Sequence, residues 1–288
     1  MANATQYGGS QLDTSPLPSP LWADCRWNDM QAGYLRGITE YYDFATGGKI
    51  TSPTTEAALV GQTLNGFSDD AIAGTPPAVI TAGIAYDYAA NAGGNLIIAQ
   101  TTTAHQVLVR STQSPYQISA NKGTFWMEAR LKQLTVAAND AGFFVGLIDS
   151  TVATNTAVLV SSTGNMAAIN YVGFHKPVAN STTFNTAYRA DDTDSTVDAQ
   201  TTVQSGVGAL VAATYVKLGM KFSPRRGNVL EFFINGVKQS STVTVPNATG
   251  TTFPADVGLG WMIALCTGTS TADHNIYIDW IRVAQEIL

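Results

Sequence analysis

Three glutamates, Glu128, Glu231 and Glu286, fall in the strand-like stretches of this 288-residue chain. Hydrolysis of a glycosidic bond needs two carboxyl groups roughly 5 to 9.5 Å apart. On one strand, residues two or four positions apart share a face and meet that need. None of the three glutamates has such an acidic neighbour, and a pair drawn from two different strands stays open. The cluster Asp191-Asp192-Thr193-Asp194, with Asp198 nearby, is the best candidate for a hard cation, which requires several converging oxygens. It lacks both a glycine for a tight loop and a downstream glutamate, so a solvated acidic loop is the favoured reading, and no metal or other cofactor is expected. His105, His175 and His274 each stand without a second His or Cys at ligand spacing, which argues against zinc. There is no Gly-x-Ser-x-Gly elbow, no phosphate loop and no dinucleotide-binding glycine pattern.

Binding without catalysis has one candidate. Trp126 lies on the polar side of the alternating stretch Thr124–Lys132, beside Glu128 and Arg130. An exposed indole there offers a stacking platform for a sugar. The competing and favoured reading packs Trp126 under the N-terminal segment or into a subunit interface.

The elements that would position these residues have period two. Phe125, Met127, Ala129 and Leu131 face one way and Trp126, Glu128, Arg130 and Lys132 the other. Val216, Leu218, Met220 and Phe222 repeat the pattern, and after Val229–Ile234 the pair Asn235-Gly236 closes a tight hairpin. Further strands are expected near 86–89, 95–99, 105–111, 142–149, 166–174, 196–204, 257–266 and 275–284. Phe143–Ile148 and Gly258–Leu265 are apolar throughout, which predicts central strands covered on both faces. About a dozen short strands and almost no helix predict an all-β antiparallel β-sandwich over residues 85–288.

Residues 1–84 read differently, as an extended N-terminal arm with a short helix. Prolines at alternate positions in Ser15–Trp22 favour an extended course, and Ser52-Pro53 reads as the start of the helix. The arm carries Trp22, Trp27, Tyr34, Tyr41 and Tyr42, rings that must be buried on their own domain or on a neighbouring subunit.

Charged residues make up only 12% of the chain, and the net charge is −6. Residues 1–85 hold eight acids against three bases, leaving the remainder nearly neutral. A nucleic-acid ligand needs a positive face, and the only basic pair is Arg225-Arg226, so no nucleic acid is expected. No run of about 18 apolar residues predicts a membrane span. The first residues lack the basic and apolar regions of a secretory signal. Cys25 and Cys266 therefore read as two reduced thiols, and the sequons at Asn3, Asn180 and Asn247 as chance.

The C-terminal third carries a resemblance. Tyr215–Phe222, Leu230–Val237 with its Asn-Gly, and Asn275–Val283 look like the end of a concanavalin A-like (laminin G-like) jelly roll. The glucanase branch of that superfamily carries a Glu-x-Asp-x-Glu strand, which this sequence lacks. The whole chain resembles a bacteriophage virion structural protein of the capsid decoration (cement) type. That resemblance implies a non-enzymatic homo-oligomer, trimeric by analogy. It would be bound to the major capsid protein, located in the virion and made in the host bacterial cytoplasm. The alternative it leaves open is a carbohydrate-binding or receptor-binding tail or baseplate protein.

Overall fold

The computed structural model describes residues 19–43, 62–64, 67–73, 83–87, 95–100, 105–111, 113–136, 141–149, 158–159, 163–179, 182–190, 200–246, 253–255, 257–267 and 274–287. The described residues form one short helix, α1 (Trp27–Gln31), and sixteen strands in two eight-stranded sheets. In the first sheet the order is β14 (Val237–Thr244), β13 (Val229–Ile234), β12 (Val216–Ser223), β7 (Phe125–Gln133), β16 (His274–Glu286), β5 (Asn95–Gln100) and β4 (Gly83–Asp87). Strand β16 is long enough to pair with β5 through its first half and with β1 (Gly37–Asp43) through its second. In the second sheet the order is β11 (Thr201–Val207), β10 (Phe184–Arg189), β9 (Tyr171–Lys176), β8 (Gly142–Asp149), β15 (Leu259–Cys266), β6 (His105–Ser111), β3 (Phe67–Ala73) and β2 (Gln62–Leu64). All of these pairings are antiparallel. No helix among the described residues is long and apolar enough to cross a membrane.

The expected alternation sets the core. Phe125, Met127, Ala129 and Leu131 of β7 and Val216, Leu218, Met220 and Phe222 of β12 all point between the sheets. Phe174 of the second sheet meets Phe232 of the first edge-on, with ring centroids 5.5 Å apart. Strands β8 and β15 are neighbours in the middle of the second sheet, and every residue in both is buried, as their continuous apolar runs require. Their outward residues Phe144, Ile148 and Met262 join a second apolar cluster with Val158, Leu159, Met166 and Ile169. The hairpin turn forms as read, with Asn235 at φ 51° and Gly236 at φ 78°.

The N-terminal segment differs from its expected form. Residues 19–25 turn rather than run extended: the Trp22 amide donates to Ser19 O at 2.9 Å, and that of Cys25 to Trp22 O at 3.0 Å. Strands β1, β2 and β3 belong to the two sheets, and residues 84 and 85, the expected boundary, both lie inside β4. β1 also ties the sheets together, because its inward Glu40 accepts from Trp261 Nε1 at 2.9 Å and from the Tyr42 hydroxyl at 3.2 Å. That charge interrupts an otherwise apolar alternation and hides the strand in the sequence. β10 was not anticipated either. The helix expected after Ser52-Pro53 lies outside the described residues. Both cysteines are buried, in separate apolar clusters on the outer faces of the two sheets.

On β9, His175 is fully buried, with Nε2 2.5 Å from the Gly164 carbonyl oxygen. Burial pushes its pKa below the ordinary 6.5, and the neighbouring Lys176 charge acts the same way. As pH falls through 6.5, the unfolded chain takes up the proton before the folded one, so stability drops by up to about 1.4 kcal/mol per pH unit. Urea denaturation between pH 7 and 5 should show this slope in the wild type and lose it in His175→Asn.

Candidate functional site

The outward face of the first sheet gathers most of the chemistry-bearing side chains. Strand register sets them in four rows. Ala284, Trp126, Lys221 and Glu231 lie across neighbouring strands in the first row. Arg282, Glu128, Gly219 and Phe233 form the second. Trp280, Arg130 and Lys217 form the third, and Tyr277 and Lys132 the fourth. Tyr215 stands beside the last two rows, with its ring 4.0 Å from the Arg130 guanidinium and 4.7 Å from Lys132 Nζ.

The first two rows are roofed by residues 19–35. Leu21, Trp22, Cys25, Trp27 and Met30 pack on Trp126, Phe233 and Ala284 as one apolar cluster. Glycines make the sockets: a Cβ on Gly219 would overlap Leu21 Cδ2, and one on Gly37 would overlap Met30. Every charge the roof buries is paired. Glu128, 1% exposed, accepts from Trp22 Nε1 at 2.8 Å and from Arg282 Nε at 3.2 Å, and Arg282 Nη2 donates to the same oxygen. The Arg282 guanidinium also lies 4.5 Å from the ring centre of Trp22 and 4.7 Å from that of Trp280. Asp24 accepts from Lys221 Nζ at 2.7 Å and from Trp126 Nε1 at 3.1 Å. Burial, with the Asp24 charge second, pushes the Cys25 thiol up to about 12.

These placements decide several expectations. Trp126 is 1% exposed and is not a glycan platform: as in the favoured reading, the N-terminal segment covers the ring, and Asp24 accepts from its N–H. Trp22 and Trp27 meet edge-on, 5.8 Å apart, within the roof. They are satisfied inside the chain, and Tyr42 packs inward against Trp261. Only Tyr34 and Tyr41 of the five arm aromatics are exposed, at 85% and 45%. Asp191, Asp192 and Asp194 lie outside the described residues. Among the described residues, no three His, Cys, Asp or Glu side chains converge as a metal set. Glu128 and Glu231 share the roofed face but stand two strands apart, and each carboxylate is held by a cation, Arg282 and Lys238 respectively.

The described apolar cluster of the N-terminal segment does not extend to the third and fourth rows, where Lys132 and Trp280 are nonetheless buried, at 9% and 3% exposure. A bulge in β16 between Ile278 and Trp280 turns Asp279 onto this face, where it pairs with Arg130. The two side chains keep 23% and 19% of their exposure. Lys132 Nζ sits between two rings, 4.7 Å from Tyr215 and 5.1 Å from Tyr277. Trp280 Nε1 is buried and has no hydrogen-bond partner among the described residues. Sequence reading missed Tyr215, Tyr277, Asp279 and Trp280. The outward alternation of Arg130 and Lys132 pointed to their rows, but a bulge has no period-two signature.

No protein-family model matches the chain, and no curated protein does. Solved structures do. An endo-1,3-β-glucanase from Streptomyces sioyaensis superposes with a TM-score of 0.54 at 11% identity, over 84% of this chain and 97% of its own. Peanut lectin, in a structure with a nine-residue peptide, gives 0.51 at 10% identity over 88% and 99%. An endo-β-1,4-glucuronan lyase from the fungus Trichoderma reesei gives 0.50 at 9% identity over 85% and 94%. The chain has the concanavalin A-like jelly-roll fold. The expectation of a non-enzymatic protein is corrected by the same comparison, since two of these three structures are enzymes. The missing Glu-x-Asp-x-Glu strand excludes one catalytic arrangement and leaves others open.

Glu128→Gln removes the carboxylate charge that Arg282 and Trp22 bond beneath the roof. It should cost about 3 kcal/mol in urea denaturation. Loosening of the roof should speed alkylation of Cys25 while leaving that of Cys266, on the opposite sheet, unchanged.

Proposed function

We propose that the protein binds polysaccharide on the half of the first sheet's outer face that lies beyond the N-terminal roof. The observation that carries this reading is the grouping of Tyr215 and Tyr277 around Lys132, next to the Arg130–Asp279 pair. Pyranose rings present apolar C–H faces that stack on phenol rings, and their hydroxyls bind charged side chains held in fixed positions. Arg130 and Asp279 offer donors and acceptors side by side. The occurrence of the same fold in a lectin, a glucanase and a glucuronan lyase supports a glycan ligand.

A second reading, attachment to a major capsid protein as a homo-oligomer in a virion, rests on the sequence resemblance. Tyr34 and Tyr41 favour it as the arm rings left outside the core. A trimeric mass in solution that falls to the monomer mass in Tyr34→Ala would support it.

Tyr215→Ala and Tyr277→Ala should each weaken binding to a polysaccharide panel about tenfold, the loss of one stacking contact, without lowering the melting temperature. Release of reducing or unsaturated ends in the same panel would show whether cleavage accompanies binding. A folded wild-type protein that retains no polysaccharide would contradict the proposal.

A further inference from the structure

We infer that the end of the sandwich formed by residues 208–214 and the β13–β14 hairpin is an interface with a second copy of this chain. Six large apolar side chains are exposed among the described residues. Three of them, Leu134, Val211 and Val237, stand at this end, at 37%, 59% and 65% exposure. The loop between β11 and β12 brings them together. Gly208 abuts Ile234, since a Cβ there would overlap Ile234 Cδ1, and Ile234 pairs with Val237 across the hairpin. Farther along the loop, the Ala213 amide donates to Gln133 O at 2.8 Å, which sets it beside Leu134. Ala209, Ala212 and Ala213 are exposed between these anchor points. Single exposed apolar side chains are ordinary, but a contiguous group of them marks a contact surface.

Charge points to the partner. A contact about a two-fold axis sets a surface against its own copy, so a charge left unpaired near the axis meets its like. Residues 200–216 carry no charged side chain, and neither do residues 239–246. Lys238, at the start of β14, is bonded to Glu231 of the same chain. Lys132 and Lys217, beside this end, project onto the outer face of the first sheet. The outermost strands β11 and β14 flank the apolar group and are joined where the Ser241 amide donates to Gln204 Oε1 at 3.1 Å. They present Thr, Ser and Gln. Hydroxyl and carboxamide groups both donate and accept, so they match their own copies as a charged group does not.

Sedimentation equilibrium of the full chain, from micromolar to millimolar concentration, tests this. The wild type should approach twice the chain mass as concentration rises. Val211→Asp and Val237→Asp change side chains that already face water. Each should raise the dimer dissociation constant by about tenfold or more, because an unpaired carboxylate buried in an interface is costly. The double variant should stay monomeric with an unchanged circular dichroism spectrum. Arg225→Gln/Arg226→Gln, in the turn at the other end of β12, should leave the dimer intact. A wild type that is monomeric throughout, or an assembly indifferent to both valine variants, overturns the inference. Flotation of a monomer with phosphatidylcholine vesicles, lost in the double variant, would assign this end to lipid and overturn it likewise.

Discussion

A carboxylate in the middle of an outward sheet face, at Glu128, is the constraint around which the first sheet's outer surface is organised. Left to water it would be an ordinary surface glutamate. Buried, it demands a cation and further donors, because an unpaired charge in a dry site costs several kcal/mol. Arg282 supplies the cation from the neighbouring strand, and Trp22 supplies a donor from more than a hundred residues away. Holding Trp22 there fixes the turn at residues 19–25, the socket that Gly219 leaves for Leu21, and the Asp24 contacts to Lys221 and Trp126. The roof is therefore specified by polar pairing as much as by apolar area. Its extent decides which rows of the sheet it covers.

The two sheets treat their outer faces differently. That of the second sheet meets an apolar cover formed by Val158, Leu159, Met166 and Ile169 over Phe144, Ile148 and Met262. On the first sheet, a boundary runs between Arg282 and Trp280. On one side charges are buried and paired; on the other, Arg130 and Asp279 keep part of their exposure and the cations rest on aromatic rings. Partial exposure with fixed orientation is what a recognition surface requires and what a packing surface does not.

Much of the sandwich was legible because its signal is local. The alternation in β7 and β12 sorted inward from outward residues correctly, and the apolar runs of β8 and β15 announced strands covered twice. The Asn235-Gly236 pair fixed its hairpin by φ alone. The losses share a cause. β1 was hidden because Glu40 breaks the apolar alternation, and its partner, the Trp261 indole, lies on the other sheet. The face of Trp126 and its packing under the N-terminal segment were legible, but which of residues 21–30 cover it is set by a non-local contact that periodicity does not record. The patch of Tyr215, Tyr277 and Asp279 is assembled from three strands and a bulge, so no single stretch of sequence displays it. The absence of a catalytic motif was likewise a statement about one arrangement of acids, and the fold's occurrence in enzymes shows why it did not extend further.

The proposed ligand surface is the half of the first sheet's outer face that lies beyond the N-terminal roof. A crystal structure of the protein with a bound oligosaccharide decides whether that surface is used. Sugar rings should stack on Tyr215 and Tyr277, with hydroxyls bonded to Arg130 and Asp279 and the Trp22–Glu128–Arg282 contacts unchanged. An oligosaccharide bound on the second sheet, or one that displaces the roof to reach Glu128, would contradict it.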